Sequence, residues 1–176
     1  MIQLDRALFL WLNLDPNTPP VWLELARFAS LTLPQWLMVA TVTLALAGSG
    51  NTRLAAWRAL PSVALAAAMA LALKPLFHLQ RPFVMGLGTR WIEHAADGSF
   101  PSSHAAVMAA LAATALLAPC RWPPKALALT AALLVSWSRP ALGLHFPSDI
   151  LAGWLLGLLA ALAVRLVWVR VARNRR

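Results

Sequence analysis

WRALPSVALAAAMALALKPLF, residues Trp57–Phe77, is the stretch on which the fold turns. It is long enough to cross a bilayer as one helix, a crossing that takes about 20 apolar residues. Its only charges, Arg58 and Lys74, stand near its two ends. Working outward, Leu31–Ala47 precedes it, and Ser102–Ala118, Lys125–Pro140 and Ile150–Val171 follow as apolar runs of comparable length. Gly48-Ser49-Gly50-Asn51 and Pro123-Pro124 break neighbouring runs. With 60% hydrophobic residues, 12% charged residues and a mean hydropathy of +0.67, a chain of 176 residues has too much apolar surface to hide inside a soluble globule. The predicted fold is therefore an all-α integral membrane protein with a single domain over 1–176. A bundle of five transmembrane helices spans 31–171, interfacial helices occupy 1–30, and a basic tail covers 172–176. A sixth span arises only if one N-terminal segment joins the bundle.

The N-terminal assignment follows from weaker patterning. Ile2–Leu14 mixes apolar and polar residues loosely at helical spacing, interrupted by Asp5, Arg6 and Asn13, and Asp15–Pro20 reads as a turn. Val21–Leu31 carries Glu24 and Arg27 on one face. Both segments are expected to lie on the membrane surface.

Charge orients the five spans. Arg53, Arg58, Arg121, Lys125, Arg165, Arg170, Arg173, Arg175 and Arg176 fall on one side without a carboxylate, and all acids fall on the other. The positive-inside rule makes the first side cytoplasmic. The net charge of +9 is thereby accounted for by topology, and nucleic-acid binding is not implied. Nine Trp and no Tyr fit membrane anchoring, with Trp36, Trp57, Trp91, Trp122 and Trp168 near span ends. The N-terminus lacks the pattern of a cleavable signal peptide, so the first span is expected to direct insertion. Cys120 has no partner for an intrachain disulfide. The sequence contains no internal repeat, Gly-rich nucleotide loop or recognisable metal-ligand cluster.

Three fragments concentrate ionisable groups at the outer ends of the spans: KPLFHLQRP (Lys74–Pro82), PSSH (Pro101–His104) and SRPALGLHFPSD (Ser138–Asp149). Such groups are costly in a bilayer unless they line a site. Lys74 alone reads as a snorkelling lysine. Arg81 changes that, because Pro75 bending the helix and Pro82 ending it would let both cations converge on one anion. Ser102 and Ser103 are typical helix-start residues, yet a helix start also offers unpaired N–H groups to an anion, and His104 follows in the first turn. Arg139 can snorkel and Asp149 can cap the fifth span. His145 nevertheless precedes Asp149 by four residues around Pro147, a spacing that lets a carboxylate hold one imidazole nitrogen and leave the other to attack.

Together K-x6-R-P, P-S-x-H and S-R-x5-H-x3-D resemble, in order and spacing, the signature motifs of the type 2 phosphatidic acid phosphatase superfamily of membrane lipid phosphate phosphatases. RPFV (Arg81–Val84), IEHAADGSFPSSHA (Ile92–Ala105) and LFLWLN (Leu8–Asn13) look like the bacitracin-resistance group of bacterial undecaprenyl-diphosphatases. One departure is Ser103, where the family usually has glycine; its amide can still donate, but its side chain narrows the pocket.

The resemblance implies that Lys74, Arg81, Ser102, Ser103 and Arg139 bind phosphate. It makes His145, oriented by Asp149, the nucleophile that forms a phosphohistidine, and His104 the acid. It implies no metal and no cofactor. The partners it implies are a polyprenyl diphosphate lipid and the bilayer, with the active site on the outer face of a bacterial plasma membrane. Phosphatidylglycerophosphate, phosphatidic acid and lipid A phosphate stay open as substrates, as does a binding or flipping protein without turnover. Glu93, His94 and Asp97 belong to the loop before PSSH, where solvation is the plainer expectation.

Overall fold

The computed structural model describes residues 2–174, which fold as helices joined by short loops and one longer loop over 86–101. The helices are α1 (Ile2–Leu12), α2 (Pro20–Arg27), α3 (Leu33–Ala47), α4 (Gly50–Phe77), α5 (Ser103–Leu117), α6 (Trp122–Ala141) and α7 (Pro147–Asn174). The stretches Pro20–Ala47, Gly50–Met85 and Pro147–Asn174 are long and apolar enough to cross a membrane, and α5 is a shorter apolar helix.

Two expectations are corrected. Val21–Leu31 is not a separate helix: α2 runs through a π-helical turn, Phe28–Thr32, straight into α3. Pro34 has no N–H for the usual backbone bond, and the widened turn accommodates it by pairing the Leu33 N–H with the Phe28 carbonyl. Within this continuous stretch Glu24 and Arg27 pair with each other at 3.0 Å. The end of α4 falls at Phe77 as expected, but its cause differs. It stops at Phe77, where His78 takes the left-handed conformation (φ 46°), so Arg81 stands on an extended strand of chain beyond the helix. Pro82 opens a short 3-10 turn, Pro82–Met85, and does not terminate α4.

The bundle closes on small residues. Helix α5 packs against α4, α6 and α7, and Ala66 and Ala70 of α4, Ala106 and Ala110 of α5, and Ala160 of α7 are fully buried together. Gly153 is required in this seam, since a Cβ there would meet the Ser102 carbonyl at 2.7 Å and the Ala105 Cβ at 2.8 Å. In lipid, where apolar burial gives helices little reason to associate, such close backbone approach supplies the packing. Large side chains such as Leu151, Leu155 and Val167 point outward, as a lipid-facing surface requires.

Helix α1 straps the end of α6 and the start of α7. Asp5 accepts from the Ser148 N–H at 2.9 Å, and its charge complements the start of α7. The Asn13 amide donates to the carbonyls of Thr89, Pro140 and Ala141, while its oxygen accepts from the Thr89 N–H. Gly143 lies beneath this staple with φ 82°, its α-carbon so close to Thr89 and Arg90 that a side chain would strike their backbone.

Candidate active site

The three fragments meet at one end of the bundle, where α4 and α6 end and α5 and α7 begin. The Ser102 N–H donates to the Asp149 carbonyl at 3.1 Å, tying the start of α5 to that of α7. Ser102 also caps α5, its hydroxyl accepting from the Ala105 N–H at 3.4 Å. Ser103 opens the helix, and its hydroxyl is buried without a partner among the described residues.

His145 lies between α6 and α7, 2% exposed, with Nδ1 3.2 Å from an Asp149 carboxylate oxygen. That oxygen also accepts from the Phe146 N–H at 2.9 Å and from the Ser99 hydroxyl at 2.5 Å. A carboxylate against Nδ1 places the ring proton there and leaves a lone pair on Nε2. The Nε2 atom is 3.0 Å from Arg81 Nη1. Burial first, then the charges of Arg139 and Arg81, hold His145 well below the ordinary histidine value, so the ring is neutral.

Arg81 is 1% exposed and fully engaged. Its Nη1 also donates to the Leu144 carbonyl at 3.1 Å, while Nε and Nη2 reach Asp97 Oδ1 at 3.1 and 2.8 Å. Lys74 Nζ donates to the Gly98 carbonyl at 3.0 Å and lies 3.4 Å from Asp97 Oδ2. Burial would raise the Asp97 carboxyl, but the Arg81 hydrogen bonds and charge, with Lys74, outweigh it and hold Asp97 below its usual range.

Arg139 differs. It is 1% exposed and donates through Nη1 to the Ser30 hydroxyl, while Nε and Nη2 are buried with no partner among the described residues. A buried guanidinium with two idle donors beside an imidazole is chemically prepared for an anion. His104, half-buried in the first turn of α5, lies in the field of Arg139, Lys74 and Arg81.

All eight residues singled out in the three fragments therefore converge on one region. Of the loop residues, Glu93 stays at the surface against Arg90, whereas Asp97 enters the cluster and His94, resting on the Ala95 carbonyl, follows it with Nδ1 3.8 Å from Asp97 Oδ1. Ser99 and Ser30 are additions that no motif flagged. Ser99 carried a faint signal in its position just ahead of PSSH; Ser30 carried none, because its contact with Arg139 exists only once α2 and α3 form one helix.

Comparison with known proteins agrees with the geometry. Residues 55–173 match the PAP2 superfamily. The chain is 32% identical over 94% of its length, and 83% of the relative's, to the Escherichia coli protein named "Putative undecaprenyl-diphosphatase YbjG". It is 46% identical over 61 residues, 35% of this chain and 29% of the relative, to an undecaprenyl-diphosphatase of Sulfolobus acidocaldarius. In fold it resembles the crystal structure of Aquifex aeolicus LpxE, with a TM-score of 0.69 at 22% identity over 90% of this chain and 92% of that one. It likewise resembles a transmembrane PAP2-type phosphatidylglycerolphosphate phosphatase from Bacillus subtilis, with a TM-score of 0.66 at 20% identity over 96% of this chain and 86% of the other. The ordered motifs, their convergence at one end of a helical bundle and these matches make the chain a membrane phosphatase belonging to the PAP2 superfamily.

Proposed function

We propose that this enzyme hydrolyses undecaprenyl diphosphate to undecaprenyl phosphate and inorganic phosphate at the extracytoplasmic face of a bacterial plasma membrane, returning the carrier lipid to cell-wall synthesis. The substrate assignment draws on similarity to YbjG along nearly the whole chain. The observation that carries the chemistry is the His145–Asp149 pair beside the two idle donors of Arg139.

In the proposed scheme the terminal phosphate enters against Arg139, the Ser103 amide and hydroxyl, and the Ser102 hydroxyl. Arg81 and Lys74 turn toward it, freeing the Nε2 lone pair of His145. Nε2 attacks phosphorus in line, the bond to the bridging oxygen breaks, and His104 donates a proton to the leaving lipid phosphate. Asp149 holds Nδ1–H and stabilises the positive charge that forms on the ring. Neutral His104 then takes a proton from water, whose oxygen displaces Nε2 and releases phosphate. Charge on the equatorial oxygens is met by Lys74, Arg81 and Arg139, the part that a metal ion plays in other phosphoryl transfers. No metal or cofactor enters the scheme.

Phosphate release by purified protein, compared across undecaprenyl diphosphate, phosphatidylglycerophosphate, phosphatidic acid and lipid A phosphate, tests the substrate. A clear preference for a glycerophospholipid overturns it. His145→Gln tests the mechanism: turnover and the acid-labile phosphoprotein trapped during it should both vanish, and persistent release removes His145 as nucleophile.

A further inference from the structure

At the end of the bundle opposite the active site, α4, α5 and α7 surround an open cleft of about 240 Å³ lined by Arg58, Thr114, Leu117, Ala118, Ala161 and Arg165. Helix α4 carries Arg58 and Lys74, and α7 carries Asp149 and Arg165, each pair about 24 Å apart at a rise of ~1.5 Å per residue. A hydrocarbon core is about 30 Å thick, so a bundle with its active site at one membrane interface holds this cleft near the other, at the level of lipid phosphates.

The polar groups of the cleft lack partners. Arg58 Nε and the Thr114 hydroxyl are buried without a hydrogen bond among the described residues, and Thr114 is 7% exposed. Other hydroxyls in the bundle bond the carbonyl one turn back, Thr41 that of Leu37 at 2.7 Å and Ser62 that of Arg58 at 2.8 Å, whereas Thr114 does not. Donors left so cost free energy that a ligand recovers.

Charge is equally incomplete. Asp5, Asp15, Glu24, Glu93, Asp97 and Asp149 are the acidic residues of the sequence, and all belong to the end that carries the active site. Arg58 and Arg165 therefore share a cleft to which the chain brings no side-chain carboxylate. Trp168 covers one face of the Arg58 guanidinium, its ring centroid 5.3 Å from Cζ. Stacking uses that face and leaves the in-plane N–H groups for an anion, the geometry in which a guanidinium grips phosphate oxygens.

We infer that Arg58, Arg165 and the Thr114 hydroxyl form a second anion site, separate from the catalytic cradle, that takes a phosphate group at the opposite membrane interface. Two sources carry that group: an anionic phospholipid of the adjoining leaflet, and free phosphate from the solution beside it. Occupancy neutralises two like charges and ties α4, α5 and α7 together, so the occupied bundle is harder to unfold. The inference is independent of the substrate and the chemical scheme proposed above.

The test is thermal unfolding of the full-length protein in neutral detergent, titrated with dioleoyl phosphatidylglycerol, with dioleoyl phosphatidylcholine or with inorganic phosphate. Wild type is compared with Arg58→Gln, Arg165→Gln and Thr114→Val. These changes leave the catalytic cradle intact, so binding there cancels in the comparison. Wild type should gain about 3 to 6 °C at a tenfold excess over Kd. A gain from phosphatidylglycerol identifies the lipid as the source, and one from inorganic phosphate identifies the free ion. Phosphatidylcholine, whose choline cancels the charge, should add less. Each of the three variants should lose most of the gain, while Arg170→Gln, which removes an exposed cation further along α7, should keep it. Arg165 is exposed, so its variant keeps the test open should Arg58→Gln not fold. Without added ligand, Thr114→Val should melt no lower than wild type, since its hydroxyl bonds nothing; a lower melt makes the hydroxyl structural and removes it from the site. A wild type indifferent to both phosphate sources overturns the proposal. So does a gain that survives in all three variants, or one that Arg170→Gln loses as fully as Arg165→Gln, the mark of diffuse attraction to a basic face.

Discussion

Ser99→Ala isolates the hydroxyl that steadies the catalytic pair. Ser99 is fully buried, and its Oγ–H points at the Asp149 oxygen that faces His145 Nδ1. That oxygen collects three donors: Ser99, the Phe146 N–H and His145. Alanine removes one of them and leaves a void no larger than an oxygen atom. A hydrogen bond to a charged group is worth about 1.5 to 3 kcal/mol. If the carboxylate spends that energy on aligning the imidazole and on balancing its charge during attack, the loss falls on the transition state and lowers kcat about ten- to a hundredfold, since each ~1.4 kcal/mol is a factor of ten. Lys74, Arg81 and Arg139 are not in contact with the hydroxyl, so KM should change little. Steady-state phosphate release from a polyprenyl diphosphate, run beside a thermal melt in the same detergent, separates the two effects. A folded Ser99→Ala protein whose kcat stays within about twofold of wild type, well short of the tenfold step expected for a bond of this strength, would refute the reasoning, as would a loss carried by KM.

Gly153→Leu should unfold or strongly destabilise the bundle, because a side chain there meets the Ser102 carbonyl and Ala105; overpacking costs about 1 to 3 kcal/mol, read as a lower melting temperature with loss of extracted protein. The pH profile should show a late acid limb. Burial and the neighbouring cations depress the His145 value, so the neutral nucleophile persists at neutral pH and is lost only as pH falls through that depressed value. The acid limb of kcat/KM assigned to His145 should therefore lie below about 6.5, the ordinary histidine value, and a limb at or above it contradicts the neutral ring. Phosphate release should persist in excess EDTA; activity lost on chelation and restored by magnesium contradicts a cradle made of protein cations alone.

Much of this architecture is legible in the sequence because a helix converts spacing into position. Lys74 closes an apolar run, His104 sits in the first turn of a helix, and His145 precedes Asp149 by four residues, so the end of the bundle that carries each is known before the fold is. What escapes is whatever depends on chain that is not helical or on helices that fuse. The end of α4 at His78 turns on one left-handed residue, for which neighbouring prolines offered a plausible but wrong substitute. The merger of α2 with α3 turns on a π-helical turn beside Pro34.

The residues missed at the site share a physical reason. Asp97 and Ser99 lie six and four residues before Ser103, the first residue of α5, yet each acts on a side chain brought in from another element: Asp97 on Arg81 and Lys74, Ser99 on Asp149. A loop has no period from which to infer such a reach. The Ser99 N–H fixes it instead by donating to the Leu79 carbonyl at 2.8 Å, anchoring the loop to the stretch that leads into Arg81. One backbone bond thereby sets the depth at which both side chains enter. Ser99 steadies the His145–Asp149 pair, while Asp97 holds Arg81 beside Nε2 of His145. Breaking the anchor at Leu79 would disturb both at once, whereas Ser99→Ala should act on the catalytic pair alone and reduce kcat.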